Sequence, residues 1–249
     1  MKRMKIMGLC LVAVFAMSVV ASSVASAVTY EQPVFYGKAA VGSTVGTVGF
    51  TGTLTEASLE TASKSVVKCT GGTAAGEVTG PTTTVNNTTT FTGCTLSGFA
   101  CESGATAGEI KTEVLKGTLG QIATSGKIGI RLFNEAEGAG KHPGHHLAKF
   151  SCDGGATPVD VTGSVIGELS GAAGGLTGGT GVKEGKFPAS SKLTFAQTLS
   201  KQAIQKFDTA EAAEQLESSL KGAEYEKSGQ KVTATLTTVP IAGNLGATK

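Results

Sequence analysis

The sequence predicts an all-β fold, a single β-sandwich or barrel-like domain, and three observations predict it. Apolar and polar residues alternate with a period of two in several separate runs, which puts one side-chain set on each face of a strand. Threonine crowds into those runs, for instance between Thr82 and Thr90, and its branched Cβ suits a half-solvated pleated surface better than a helix. The 36 glycines in 249 residues punctuate the runs at close intervals, as turns between short strands do.

The first segment is an address rather than a fold. Lys2, Arg3 and Lys5 precede an apolar stretch from Ile6 to Val20, and small residues then lead to Ala25-Ser26-Ala27. A basic start, a short apolar run and an A-x-A exit together read as a cleaved export signal over residues 1–27. The run is short for a membrane helix, which needs roughly 20 apolar residues. Cys10 follows Leu9, where a lipoprotein would carry a small residue. No later stretch is long and apolar enough to span a membrane. The expected domain therefore covers residues 28–249, and the expected location is secreted, extracellular or at the cell envelope.

Loss of residues 1–27 removes Cys10 and leaves Cys69, Cys94, Cys101 and Cys152. An even count in an exported chain reads as two disulfides. Zinc is the competing use, but spacings of 25, 7 and 51 contain no close C-x-x-C pair. The local loop from Thr95 to Ala100, which contains a glycine, favours Cys94–Cys101, and that leaves Cys69–Cys152. Both of the latter end an apolar run just before a glycine pair, Gly71-Gly72 and Gly154-Gly155.

Further strands follow in order. The run from Ile110 to Leu119 slips in phase between Val114 and Leu115, which makes Gly117 a candidate bulge. In 127–132, Ile128, Ile130 and Leu132 share one face while Lys127 and Arg131 occupy the other. Residues 171–185 hold seven glycines in fifteen, and a mobile Gly-rich loop is expected over about 171–190. Beyond it, Leu193, Phe195 and Leu199 alternate with Thr194 and Thr198. Asp208-Thr209-Ala210-Glu211 resembles a helix-capping box, so a short helix or turn is expected near 209–214, followed by a strand through Leu216, Ser218 and Leu220. Val232, Ala234 and Leu236 interleave with Thr233, Thr235 and Thr237 in the last strand; at a sheet edge, Thr233–Thr238 would be open to a partner strand, with Pro240 and Gly243 blunting it. The phrase Gly-Glu recurs at 76, 108 and 167, without a fixed period, and reads as a strand start on its wet face rather than a solenoid repeat.

Composition excludes several function classes. Only 16% of residues are charged and the net charge is +2. Without the three basic residues of the leader the balance is 18 against 19, and Arg131 is the one arginine left. Recognition of phosphates or guanine edges leans on several arginine forks, so nucleic acid is not an expected partner.

The phrases Cys69-Thr70-Gly71-Gly72, Gly76-Glu77-Val78-Thr79-Gly80-Pro81, Phe91-Thr92-Gly93-Cys94, Gly108-Glu109-Ile110-Lys111-Thr112 and Gly163-Ser164-Val165-Ile166-Gly167 resemble those of a paralogous group of exported, β-rich, four-cysteine proteins of high-GC soil bacteria. The resemblance covers most of residues 28–249. It implies export and β-structure and supplies no catalytic residue.

Candidate chemistry is sparse. All three histidines lie in Lys141-His142-Pro143-Gly144-His145-His146, with Glu135 and Glu137 nearby. His142, His145 and His146 are the candidate metal ligands, since imidazole suits Zn, Cu or Ni. Proline and glycine in so polar a segment point instead to an exposed hairpin loop. No G-x-S-x-G elbow exists; Gly163-Ser164-Val165 lacks the spacing and sits inside a strand pattern. Glycoside hydrolysis wants facing carboxylates and aromatic walls, and the chain has no Trp and only Tyr30, Tyr36 and Tyr225. Gly185-Lys186-Phe187 is no phosphate cradle. Asn86-Asn87-Thr88-Thr89 holds overlapping N-x-T acceptors, of use only in a glycosylating host. No catalytic residue and no cofactor are implied. The expectation is a non-enzymatic structural, adhesive or binding protein with an envelope or extracellular protein or polysaccharide as partner. A secreted hydrolase using the His142/His145/His146 loop is the alternative, and a binder of small molecules between the strands is a third.

Overall fold

A computed structural model describes residues 34–36, 47–80, 82–123, 125, 127–134, 146–171, 174–175, 191–208, 213–238 and 246–248. Among these residues there is no helix. β1 (Val34–Tyr36) stands apart from the main sheet. The rest run as eight successive staves, several of them interrupted. The first is β2 (Val48–Leu54) with β3 (Ala57–Thr61), the second β4 (Val66–Cys69) with β5 (Gly71–Val78). β6 (Thr83–Thr92) and β7 (Thr95–Leu96) form the third, and β8 (Phe99–Glu102), β9 (Ile110–Lys111) and β10 (Leu115–Gln121) the fourth. β11 (Ile128–Phe133) and β12 (His146–Cys152) make the fifth, and β13 (Thr157–Gly171) is an unbroken sixth. β14 (Gly174–Gly175) only folds back on the end of β13. The seventh joins β15 (Ser191–Phe195) to β16 (Leu216–Leu220), and β17 (Glu226–Thr238) is the eighth. β18 (Gly246–Thr248) pairs with β1.

Every pairing is antiparallel, and the neighbours close into circuits. One runs β2–β5–β6–β10–β11–β13–β15–β17 and returns to β2. Another runs β3–β4–β7–β8–β12–β13–β16–β17 and returns to β3. β13 and β17 belong to both circuits and bind them into one wall. Of the two architectures expected from the sequence, the strands thus take the closed, ring-like one rather than two facing sheets. Closure leaves Ala234–Leu236 of β17 paired on both flanks, while Thr237 and Thr238 pair with β2 alone, so β17 is not an edge strand along its middle. Except between β13 and β15, consecutive staves are joined by short connections, the cheapest way to link neighbouring antiparallel strands.

Alternation decides which side chains enter the ring. Ile128 and Ile130 are buried and Leu132 packs against the core, while Lys127 and Arg131 face out. Val232 and Ala234 are buried, with Thr233, Thr235 and Thr237 outside. Leu193 and Phe195 also point inward, but β15 stops there, and Leu199 is 79% exposed in a turn with positive φ. The expected strand is shorter than its pattern suggested. In β13 the chain crosses from one circuit to the other at Gly163, whose φ is 93° and where a Cβ would lie 2.0 Å from the Gln215 carbonyl oxygen. Only glycine fits both restrictions.

The four cysteines lie side by side in one row across four adjacent staves. Cys152 registers directly opposite Cys101, Cys101 N–H donates to Cys94 O, and Cys69 lies opposite Cys94 between the pairs Gly71/Thr92 and Lys68/Thr95. The bonds are Cys69–Cys94 and Cys101–Cys152, each with Cα atoms 4.0 Å apart. This corrects the expected pairing of Cys94 with Cys101 and Cys69 with Cys152. Cys69 and Cys152 are the two ends of the row, about three strand spacings or ~14 Å apart, far beyond the reach of a disulfide. Ring closure in this register leaves only one way to make two bonds.

Bulge placement also differs from expectation. The register slips opposite Leu115/Gly117, but the extra residue is across the pair in β6, at Asn86 with φ 53°. The strand expected through Leu216 and Leu220 is present, whereas 209–212 and most of 172–190 lie outside the described residues. So do residues 1–33, including the expected export signal.

Candidate ligand cavity

Apolar side chains from all eight staves converge inside the ring around a cavity of about 160 Å³. Phe50, Phe91, Phe150 and Phe195 contribute rings, and aliphatic groups such as Ile130 and Val161 fill between them. The ring supplies this lining because every inward position of a closed antiparallel wall faces the same axis. Four buried cysteines belong to the same core. Among the described residues no ionisable side chain lines the cavity, apart from Cys69, whose thiol is tied up in its disulfide.

Polar residues also line the cavity, Ser58, Thr88, Thr89, Thr112, Ser191 and Gln230 among them, and one buried pair, Asn87 with Thr84, is hydrogen-bonded within the wall. Asn87, 6% exposed, donates from Nδ2 to Thr84 Oγ1 at 3.0 Å and to the Leu115 carbonyl at 2.9 Å. Both residues line the cavity. The bulge at Asn86 turns Asn87 inward, and two glycines make room for the pair. A Cβ at Gly76 would lie 2.4 Å from Asn87 Oδ1, and one at Gly117 would lie 2.1 Å from Thr84 Oγ1. In the sequence Asn87 stands out only as part of the N-x-T pattern, not as an inward-facing residue. The inward phase of β6, Asn87-x-Thr89-x-Phe91, was the available signal.

Polar clusters on the outer wall are structural ties. His146 Nδ1 meets Asp160 Oδ1, and Tyr225 donates from its hydroxyl to Asp160 Oδ2 at 2.9 Å. Burial, and then the Asp160 hydrogen bond, push the Tyr225 hydroxyl up to about 12. Arg131 stacks 4.4 Å over the Phe133 ring and bridges to Glu214 at 2.7 Å, and Ser164 donates to the same carboxylate. Glu60 accepts from Ser200 at 2.8 Å and Gln197 at 3.0 Å. The Ser200 hydroxyl, then Lys64, hold its carboxyl below the usual range. These last two clusters pin Gln197, Ser200 and Glu214 to the wall. Phe207 does the same apolar work, packed with Ile122 and Ile166 over the face of Gly120, where a Cβ would lie 2.4 Å from its ring.

None of the clusters joins a free nucleophile to a base. The Ser164 proton is committed to Glu214, and the His146 imidazole is held by Asp160. His146 begins β12, and its candidate co-ligands His142 and His145 lie outside the described residues. Among the described residues no group of three His, Cys, Asp or Glu is disposed to hold a metal ion, and no helix is long and apolar enough to cross a membrane.

The chain matches no known protein family, no curated protein and no solved structure.

Proposed function

We propose that this is an exported, non-enzymatic binding protein that holds a small apolar molecule inside its ring of strands. One observation carries the proposal: the largely apolar cavity of about 160 Å³, lined by all eight staves. Cavities of about 150 Å³ with such linings stay dry and take up benzene or xenon. Export is supported by the leader pattern of residues 1–27 and by two disulfides, which persist in oxidising compartments.

The test is direct. Protein purified from culture medium without denaturant is weighed by native mass spectrometry and then titrated with benzene by NMR. A carried low-mass compound, or saturable benzene uptake that Ala234→Leu abolishes by filling the cavity, is the expected result. An empty protein that takes up no benzene would end the proposal.

A second mode, docking through the outer wall, is favoured by the threonine rows. Register aligns Thr235, Thr53, Thr73 and Thr90, and beside them Thr237, Thr51, Ala75 and Thr88. This uncharged hydroxyl face suits a neutral polysaccharide of the envelope. Retention on isolated envelope polysaccharide, lost on Thr53→Glu with Thr73→Glu, is the corresponding outcome.

A further inference from the structure

We infer that the cavity selects a neutral, single-ring-sized molecule bearing one hydrogen-bond donor, a hydroxyl or N–H, and that Asn87 Oδ1 accepts that donor. The inference rests on the cavity being a ligand site, and it names the ligand's chemistry.

Size comes first. A volume of about 160 Å³ is close to that of the dry cavity that accommodates benzene, so one six-membered ring or a short branched chain fills it. Charge comes next. With no ionisable group available among the described lining residues, an ionic ligand would enter uncompensated, at a desolvation cost no apolar contact offsets. Neutral ligands remain.

The donor requirement follows from how Asn87 spends its carboxamide. Its two N–H groups are committed, to Thr84 Oγ1 and to the Leu115 carbonyl. These bonds alone account for an asparagine at this spot, because they satisfy a carbonyl exposed by the slipped register. They do not account for the other end. Oδ1 accepts no hydrogen bond from the described residues, although Asn87 is more than nine-tenths buried. It rests over Gly76 beside the Phe50 ring, where a Cβ on residue 76 would come within 2.4 Å of it. Asn87 Oδ1 is not among the fully buried side-chain atoms left without a partner. It stays reachable by a small polar molecule, so filling the chamber with an apolar one would leave it unpaired at a free-energy cost. A ligand donor avoids that cost, and a ligand without one does not. Rejection of analogues lacking the donor is the expected selectivity.

Phenol and toluene make the test, since a hydroxyl replaces a methyl at nearly constant shape. Without an anchor, toluene binds better because it is the more apolar. The expected result, by calorimetry or ligand-observed NMR on the disulfide-intact protein, is phenol binding tighter than toluene, by less than tenfold, because an anchor worth about tenfold, ~1.4 kcal/mol, outweighs toluene's greater apolarity. Asn87→Leu should reverse the order while keeping toluene uptake. Because that variant also strips the Leu115 carbonyl of its donor, a second measurement uses the unaltered protein. Phenol, and not toluene, should shift the Asn87 side-chain carbonyl resonance. Equal or tighter binding of toluene to the unaltered protein overturns the anchor and leaves the cavity site standing. Binding of neither overturns both.

Discussion

Tyr225 and Asp160 carry the clearest pH signature at the scale of single residues. Burial and the hydrogen bond to Asp160 raise the tyrosine from 10.0 to about 12, so the folded state disfavours its ionised form. The associated stability is complete below pH 10 and drains away as pH climbs from there toward 12. Tyr225→Phe should lower stability at neutral pH by about 1 kcal/mol, one hydrogen bond, and flatten the alkaline decline. Urea midpoints across alkaline pH check the second point, and the tyrosinate absorbance difference between the two proteins gives the titration itself. Asn87 illustrates what single residues conceal. Its sequence context, four polar residues in a row from Asn86 to Thr89, looks like a wet loop. A left-handed Asn86, φ 53°, flips the phase by one residue, and only then does Asn87 face inward. Local composition cannot register that flip, because it arises from pairing with β5 and β10.

Among the elements, the disulfides make the sharpest test. Peptide mapping under non-reducing conditions should recover Cys69 with Cys94 and Cys101 with Cys152. Replacing both cysteines of either pair by serine should cost about 3–4 kcal/mol by loop entropy, given sequence separations of 25 and 51, and denaturant titration measures it. Where a strand's evidence is its own alternation, the sequence was enough: β11 and β17 present their apolar and polar faces as Ile128, Ile130, Val232 and Ala234 imply. Two disulfides were legible from an even cysteine count behind an export-signal pattern, and their partners were not. Partner choice depends on which staves are neighbours, a long-range property absent from any local spacing. Leu199 failed for a related reason. Its apolar character continues the β15 pattern, but a turn held by Glu60 and Ser200 intervenes, so it ends outside. The cavity was present in the sequence only as a general remark about space between strands.

For the molecule as a whole, closure is the property that organises the rest. It removes the middle of β17 from candidate docking edges, gathers the inward residues around one axis, and fixes the cysteine row. The first stave and the last meet across most of the described chain, through Thr235/Thr53 and Gln230/Leu59. Every other junction in the wall joins staves that follow one another in the chain. A polypeptide emerging N-terminus first can therefore zip seven staves as they appear, yet it stays an open, curled ribbon until Glu226–Thr238 arrives. Until then β2 and β3 along one margin, and β15 and β16 along the other, carry bare amides and carbonyls, with the greasy side uncovered between them. Such a ribbon invites a second nascent copy to dock in place of its own missing member. Stopping the chain after Ala223 should give exchange-labile aggregates, visible by sedimentation and hydrogen exchange against the full chain. Supplying 226–238 as a separate peptide should restore the closed ring, much as a key slat tightens a cask.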